Sequence, residues 1–152
     1  AHGTAIARLT GVLRAQEGLD EPVATESILA YMAETETDVF VALGKKPGDS
    51  GGVGDARDAD GVPVLGVLSL RVMRDLFHGR LTALIQELVV AEGHRGEGIG
   101  GALLDAALAR ALERGCVEIA VTTGDSNDAG QAAYRSRGFE QDGVYFERHF
   151  EE

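Results

Sequence analysis

The sequence predicts a mixed α/β fold built around a mostly antiparallel sheet, and three patterns carry that prediction. Four apolar runs, at 38–43, 62–72, 81–90 and 117–121, have the β-branched and aliphatic character of strands. One longer stretch repeats apolar residues every three and four positions, the period of a single helix face. Between the third run and that helix stands Arg95-Gly96-Glu97-Gly98-Ile99-Gly100-Gly101, a turn whose glycines let a ligand approach the backbone.

The elements follow in order. Ile6, Leu9 and Leu13 predict a short helix over Ala5 to Gln16, and Thr25 to Met32 predicts a second, capped by Thr25 or a neighbour. Asp38 to Leu43 reads as a strand, and Val62 to Val72 as the next. The connection between them, Gly44 to Gly61, is dense in Gly, Asp, Ser and Pro, and predicts a long mobile loop. A charged turn in Met73 to Arg80 returns the chain into Leu81 to Val90, which makes the three strands a meander. Ile99, Leu103, Leu104, Ala107, Leu108, Ala111 and Leu112 form the helical stripe, and Gly115 ends it. Val117, Ile119 and Val121 alternate with Glu118, Ala120 and Thr122 as a further strand. Asp128 to Arg137 is a last short helix stopped by Gly138, and Phe139 to Phe150 is expected to close the chain with at least one strand.

The 152 residues suit one domain, 1–152, with an ordinary 44% hydrophobic and 26% charged content. A net charge of −11 repels nucleic acid and anionic membranes and favours cationic partners, amines among them. No apolar stretch approaches the roughly 20 residues of a membrane span, and Ala1-His2-Gly3-Thr4 opens no secretory signal. A single cysteine, Cys116, fits a reducing compartment, so the expected location is cytoplasmic. No Cys/His spacing suggests a metal site.

The glycine turn follows a strand and opens a helix, where unpaired N–H groups and the positive end of the helix dipole attract phosphate. A pyrophosphate-bearing cofactor is the expected ligand, with Arg95 as a forked cation beside it. Gly96-x-Gly98-x-x-Gly101 also satisfies the dinucleotide fingerprint, with Glu118 downstream. That reading is the weaker one: Ala91 to Arg95 separate the strand from the first glycine, and too little chain follows for further βαβ units. No Lys-Ser/Thr follows the glycines, as a nucleotide-hydrolase loop requires.

With two motifs in order, the chain resembles the GCN5-related N-acetyltransferases (GNAT), which move an acetyl group from acetyl-CoA to an amine. The first is Arg95, Gly98 and Gly100 after a strand; the second is Asn127, Tyr134, Gly138 and Phe139. The resemblance covers about residues 5 to 150 and implies helices on both faces of the sheet, with a splay between the strand ending near Val90 and the strand from Val117. It implies that Arg95, Gly96, Glu97, Gly98, Ile99, Gly100 and Gly101 bind the CoA pyrophosphate through their amides. Leu88, Val89 and Val90 would pair with the pantetheine arm, an N–H near Val90 would polarise the thioester carbonyl, and Asn127 would contact pantetheine or the local backbone, with Gln131 nearby. Tyr134 is the expected general acid for the departing thiolate; the competing reading is a buried aromatic on a short helix.

An alkylammonium acceptor must lose a proton before it attacks, and Glu87 on the site-lining strand is the leading candidate base. The competing reading is a solvated strand glutamate. His78 and Glu118 are less supported; His94 and His149 read as surface histidines, Cys116 as a small core residue, and Arg135 and Arg137 either as 3'-phosphate contacts or as a solvated helix face. Such chains usually open with a strand before the first helix, and since Ala1 to Thr4 is too short for one, a trimmed N-terminus or a lost edge strand is the expectation. The expected activity is direct transfer to a primary amine of a small molecule, or of a peptide, in a ternary complex, with a homodimer possible. The alternative is an acyl-CoA-binding module without catalysis.

Overall fold

The computed structural model describes residues 24–34, 36–44 and 62–150. The expected helix over Ala5 to Gln16, most of the connection from Gly44 to Gly61 and the question of an N-terminal edge strand lie outside these residues.

Strands β1 (Thr37–Leu43), β2 (Val64–Arg74) and β3 (Leu81–Val90) pair as an antiparallel meander, and β4 (Ile119–Val121) joins β3 in parallel, giving the order β1-β2-β3-β4. A parallel neighbour needs a crossover, and helix α2 (Ile99–Glu113) supplies it. Helices α1 (Thr25–Met32) and α3 (Asp128–Arg135) complete the described elements. None of these helices is long and apolar enough to cross a membrane.

Strand alternation sends apolar side chains to both faces, so both need cover. On one face Leu68, Leu70 and Val72 of β2 and Ala83 and Ile85 of β3 pack with Leu103, Leu104, Ala107 and Ala111 of α2 and with Tyr134 of α3. On the other, Val64, Val67 and Val89 are covered by Ile28 and Met32 of α1 beside Val39 and Val41. Helices therefore flank the sheet on both sides. The stripe on α2 is narrower than its spacing suggested: Leu112 is 76% exposed, off the buried arc. Gly115 ends α2 with φ 75°, and Gly138 follows α3 with φ 83°, conformations that side chains resist. Helix α1 departs from expectation at its start, where Ala24 holds the N-cap position and no side chain caps it.

The hairpin between β2 and β3 is pinned locally: Asp75 N–H donates to Arg80 O at 2.9 Å and Phe77 N–H to Asp75 Oδ1 at 2.7 Å. The expected closing strand is a correction, for residues 139–150 form no ladder with any described strand. Val144, Phe146 and Phe150 are more than three-quarters exposed. Instead the segment contacts itself two residues on: Tyr145 with Glu147 at 3.3 Å, Glu147 with His149 at 2.6 Å, and Arg148 over the Phe150 ring at 5.3 Å. These spacings belong to extended backbone, but a strand is stable only with a partner, and here none of the described edges is engaged.

Candidate active site

The site is built by two features of β3. The first is where its pairing stops. Parallel contact with β4 runs only through Ala83–Ile119, Leu84–Ala120 and Ile85–Val121, so among the described residues β3 continues from Gln86 to Val90 with that edge open. This is the splay expected from the sequence, placed by residue.

The second is a bulge. Ser69 pairs with Glu87 but its neighbour Leu70 pairs with Ile85, so Gln86 is an extra residue. Before it, Ala83 N–H donates to Glu118 O at 2.9 Å, toward β4. After it, Glu87 N–H donates to Ser69 Oγ at 3.1 Å and Ala91 N–H to Leu65 O at 2.8 Å, both toward β2. Strand alternation then turns the peptide groups of Val89 toward β2 and those of Leu88 and Val90 toward the open edge. Of the three residues expected to pair with an extended ligand, two present free backbone there.

The bulge also directs side chains. Gln86 and Glu87 both lie toward α1: Tyr31 Oη donates to Gln86 Oε1 at 2.6 Å, and the Ser69 hydroxyl donates to Glu87 Oε2. Ser69 is nearly buried, Glu87 half-buried and Gln86 exposed. Burial raises the Tyr31 phenol above its ordinary value, with Glu87 adding to the effect by repulsion, while hydrogen bonding to Ser69 opposes it. Tyr31, Ser69 and Gln86 were not singled out in the sequence. The signal was present in Gln86-Glu87, two adjacent polar residues that break the alternation of an otherwise apolar strand.

Beyond Val90 the chain enters the glycine turn. His94 N–H donates to Ala91 O at 3.1 Å, and Ala102 N–H to Gly98 O at 3.0 Å. Between them the amides from Arg95 to Gly101 donate to no carbonyl among the described residues. Gly96 and Gly98 have φ 80° and 82°, and nothing lies within 4 Å of where a Cβ would stand on either. Open amides at a helix start, in a backbone shape that excludes side chains, fit a diphosphate. Arg95 is exposed and without an ion-pair partner among the described residues, whereas Glu97 pairs with His94 at 3.1 Å.

Tyr134 projects from α3 into the core of the α2 face, 8% exposed, with its ring edge-on to Phe139 at 5.8 Å. Burial holds its phenol above the ordinary value near 10, so it stays protonated at neutral pH. Among the described residues the Tyr134 hydroxyl has no hydrogen-bond partner and only Thr37 has a fully buried unpaired side-chain oxygen, so the hydroxyl of Tyr134 keeps an open side.

Asn127 and Gln131 serve the local backbone. Asn127 Oδ1 accepts from Gly130 N–H at 3.1 Å as the cap of α3, and its Nδ2 donates to Thr123 Oγ1 at 2.9 Å. Gln131 Nε2 donates to the carbonyls of Gly124 and Asp125 at 3.2 and 3.1 Å. The other candidates are engaged elsewhere. His78 links Asp75 at 2.6 Å with Glu118 at 3.6 Å across the far end of β3, away from Glu87. Arg137 pairs with Asp105 at 2.7 Å, Arg135 donates to Gln131 at 3.0 Å, and His149 is largely exposed. Cys116 is half-buried, and burial raises its thiol, which leaves it a poor nucleophile.

Comparison with known proteins agrees with this architecture. N-acetyltransferase family 8 member 2 of Rattus norvegicus is 29% identical over 86 residues, 57% of this chain but only 38% of that protein's length. A putative acetyltransferase from Agrobacterium tumefaciens superposes with a TM-score of 0.74 at 22% identity, covering 96% of this chain and 92% of its own. An aminoglycoside acetyltransferase from an uncultured soil metagenomic sample, solved with sisomicin, gives 0.72 at 21%, covering 97% and 87%. At those identities the superpositions establish the fold. The model of the Acetyltransferase (GNAT) family matches residues 21–139, from before α1 to the end of the Tyr134 helix turn, and on that span the chain belongs to the GNAT acetyltransferase family.

Proposed function

We propose that the protein is an acetyl-CoA-dependent N-acetyltransferase that modifies a primary amine of a small molecule by direct transfer in a ternary complex. The observation that carries this reading is the open edge of β3, where the outward peptide groups of Leu88 and Val90 lead straight into the free amides of Arg95 to Gly101. A linear ligand with an amide-bearing arm and a diphosphate matches that sequence of donors.

Acetyl-CoA, when bound, supplies the acetyl group as an activated thioester. The amides of Arg95 to Gly101 hold the diphosphate at the start of α2, and Arg95 adds a forked cation. Leu88 and Val90 pair with the extended arm, and an N–H near Val90 faces the carbonyl oxygen where negative charge develops, a contact worth about 3 kcal/mol. Glu87 takes the proton of the acceptor ammonium, directly or through water. Tyr134, kept neutral by its burial, returns a proton to the departing sulfur. Asn127 and Gln131 hold the 123–126 loop against α3 at the mouth of the splay.

The net charge of −11 favours a cationic acceptor, and the structural relative solved with sisomicin is named for a substrate class rich in amines. The test is thermal shift with acetyl-CoA, followed by thiol release with sisomicin, spermidine and a peptide bearing a free N-terminal alanine. Saturating acetyl-CoA is expected to raise Tm by several degrees, about 2.7 kcal/mol at a hundred times Kd, and at least one small amine to release thiol. No shift with acetyl-CoA overturns the reading. A shift without release from any amine supports the acyl-CoA-binding module instead.

A further inference from the structure

We propose that Ser69 is a positioning residue for proton transfer: its hydroxyl closes on both the backbone N–H and the carboxylate of Glu87, and so fixes the base where the bulge presents it. The proposal rests on the acetyl-transfer reading and adds to it a residue that the family motifs do not contain.

Ser69 lies in the middle of β2 among Val67, Leu68 and Leu70, only 4% exposed. A buried hydroxyl in an apolar strand is unfavourable unless its hydrogen-bonding capacity is used. Here, beside a contact with the Tyr31 phenol, two side-chain hydrogen bonds go to a single residue. Glu87 N–H donates to Ser69 Oγ at 3.1 Å, and Ser69 O–H donates to Glu87 Oε2. One proton on the hydroxyl fixes the direction of the second bond, because the oxygen that accepts from the amide can donate only outward.

The bulge makes the hydroxyl necessary. Ser69 and Glu87 are cross-strand partners at the irregular step, and the Glu87 N–H meets the serine side chain there. Ser69 thus completes the sheet and anchors the carboxylate with one group. Glu87 Oε1 has no protein partner among the described residues and remains available to an ammonium. On the α1 side Tyr31 bonds to Gln86 rather than to the carboxylate, so the acceptor side is not closed by a competing pair. A free glutamate samples several rotamers, and pinning one oxygen removes that freedom before the substrate arrives.

The experiment measures kcat and KM on the full chain with acetyl-CoA and, as probe amines, sisomicin and spermidine. Ser69→Ala is expected to lower kcat about 10-fold or more with the KM for acetyl-CoA unchanged, and Ser69→Thr, which keeps the hydroxyl, to restore most of it. In a Glu87→Gln background, adding Ser69→Ala is expected to cost no further turnover. A wild-type kcat for Ser69→Ala beside a slow Glu87→Gln overturns the positioning role and leaves acetyl transfer standing. An equal loss with and without Glu87 overturns it as well, since the effect is then general. If Ser69→Ala does not fold, Glu87→Asp withdraws the carboxylate from the hydroxyl, and undiminished turnover in that variant overturns the role. Absence of thiol release by the wild type with both amines overturns this role together with the transfer reading, whereas a slow Glu87→Gln separates the two.

Discussion

Gly66 of β2 faces Ile99, the first residue of α2: a Cβ on this glycine would stand 3.0 Å from Ile99 Cγ2, 3.0 Å from Leu103 Cδ1 and 3.2 Å from the carbonyl oxygen of Val89. The missing side chain lets the helix start lie directly on the sheet where β3 opens, and Gly66 is itself the cross-strand partner of Val90. The helix cannot yield without moving the free amides. Gly66→Ala is therefore expected to destabilise the fold by about 1–3 kcal/mol, read as a Tm lowered by several degrees, and to weaken acetyl-CoA binding in titration calorimetry. An unchanged affinity would separate the seat of α2 from the ligand site.

Tyr134→Phe keeps the ring that packs on Phe139 and removes only the hydroxyl. Turnover at neutral pH is expected to fall at least ~10-fold, with the fold and the acetyl-CoA affinity retained. The same phenol has a consequence for stability. Burial raises its folded-state pKa, so its contribution is present below the ordinary value near 10 and is lost as pH rises through the higher folded value. Denaturant titrations between neutral pH and pH 11 should show the wild type losing stability that Tyr134→Phe does not lose.

Tyr31→Phe deletes the bond to Gln86 while leaving the aromatic cover of α1 in place. The expected outcome is a KM for the amine raised severalfold with the KM for acetyl-CoA unmoved, because the bond lies on the α1 side and the glycine turn on neither residue. Steady-state kinetics with one substrate varied at a time decide it. A change in the acetyl-CoA term alone would place Tyr31 on the donor side.

Asn127→Ala removes the cap of α3 and is expected to cost about 1 kcal/mol. Gly130→Ala should act through the same contact, since a Cβ there would collide with Asn127 Nδ2. Chemical denaturation of the two single variants and the double should show sub-additive losses. Additivity would mean that Gly130 is needed for another reason.

Arg95→Ala is expected to weaken acetyl-CoA binding roughly tenfold, with little effect on Tm, because Arg95 is exposed and forms no ion pair with the described residues. The wild-type affinity should fall with added salt more steeply than that of the variant.

Periodicity made most of this architecture legible before any coordinates. The strands, the crossover helix and the glycine turn each follow from a local pattern, and the two motifs placed Tyr134 and Arg95 on the elements that carry them. What stayed hidden was non-local. Ser69 is an unremarked serine until the register of β2 against β3 sets it opposite Glu87, and register depends on pairing across seventeen intervening residues. Leu112 keeps helical spacing yet points to solvent, because the stripe says nothing about how far the sheet extends beneath it. Val144, Phe146 and Phe150 alternate as a strand should, but alternation cannot supply the neighbour that a strand requires. The sequence leaves Asn127 two contacts, pantetheine or the local backbone, and it takes the geometry of Gly130 in α3 and Thr123 in the loop before it to show both ends of the amide engaged locally.

The single extra residue at Gln86 makes the chemistry of this chain depend on arithmetic as well as on composition. Were Gln86 drawn into the ladder opposite Ser69 and the bulge erased, every letter would survive and the hydropathy would not change, but from there on even and odd would trade places. The carboxylate would be carried to the greasy side, and Val89, not Leu88 and Val90, would offer its peptide to an incoming guest. Point substitutions can dim such a site; a one-residue frameshift in space would leave the protein nearly the same shape with its working parts facing the wrong way.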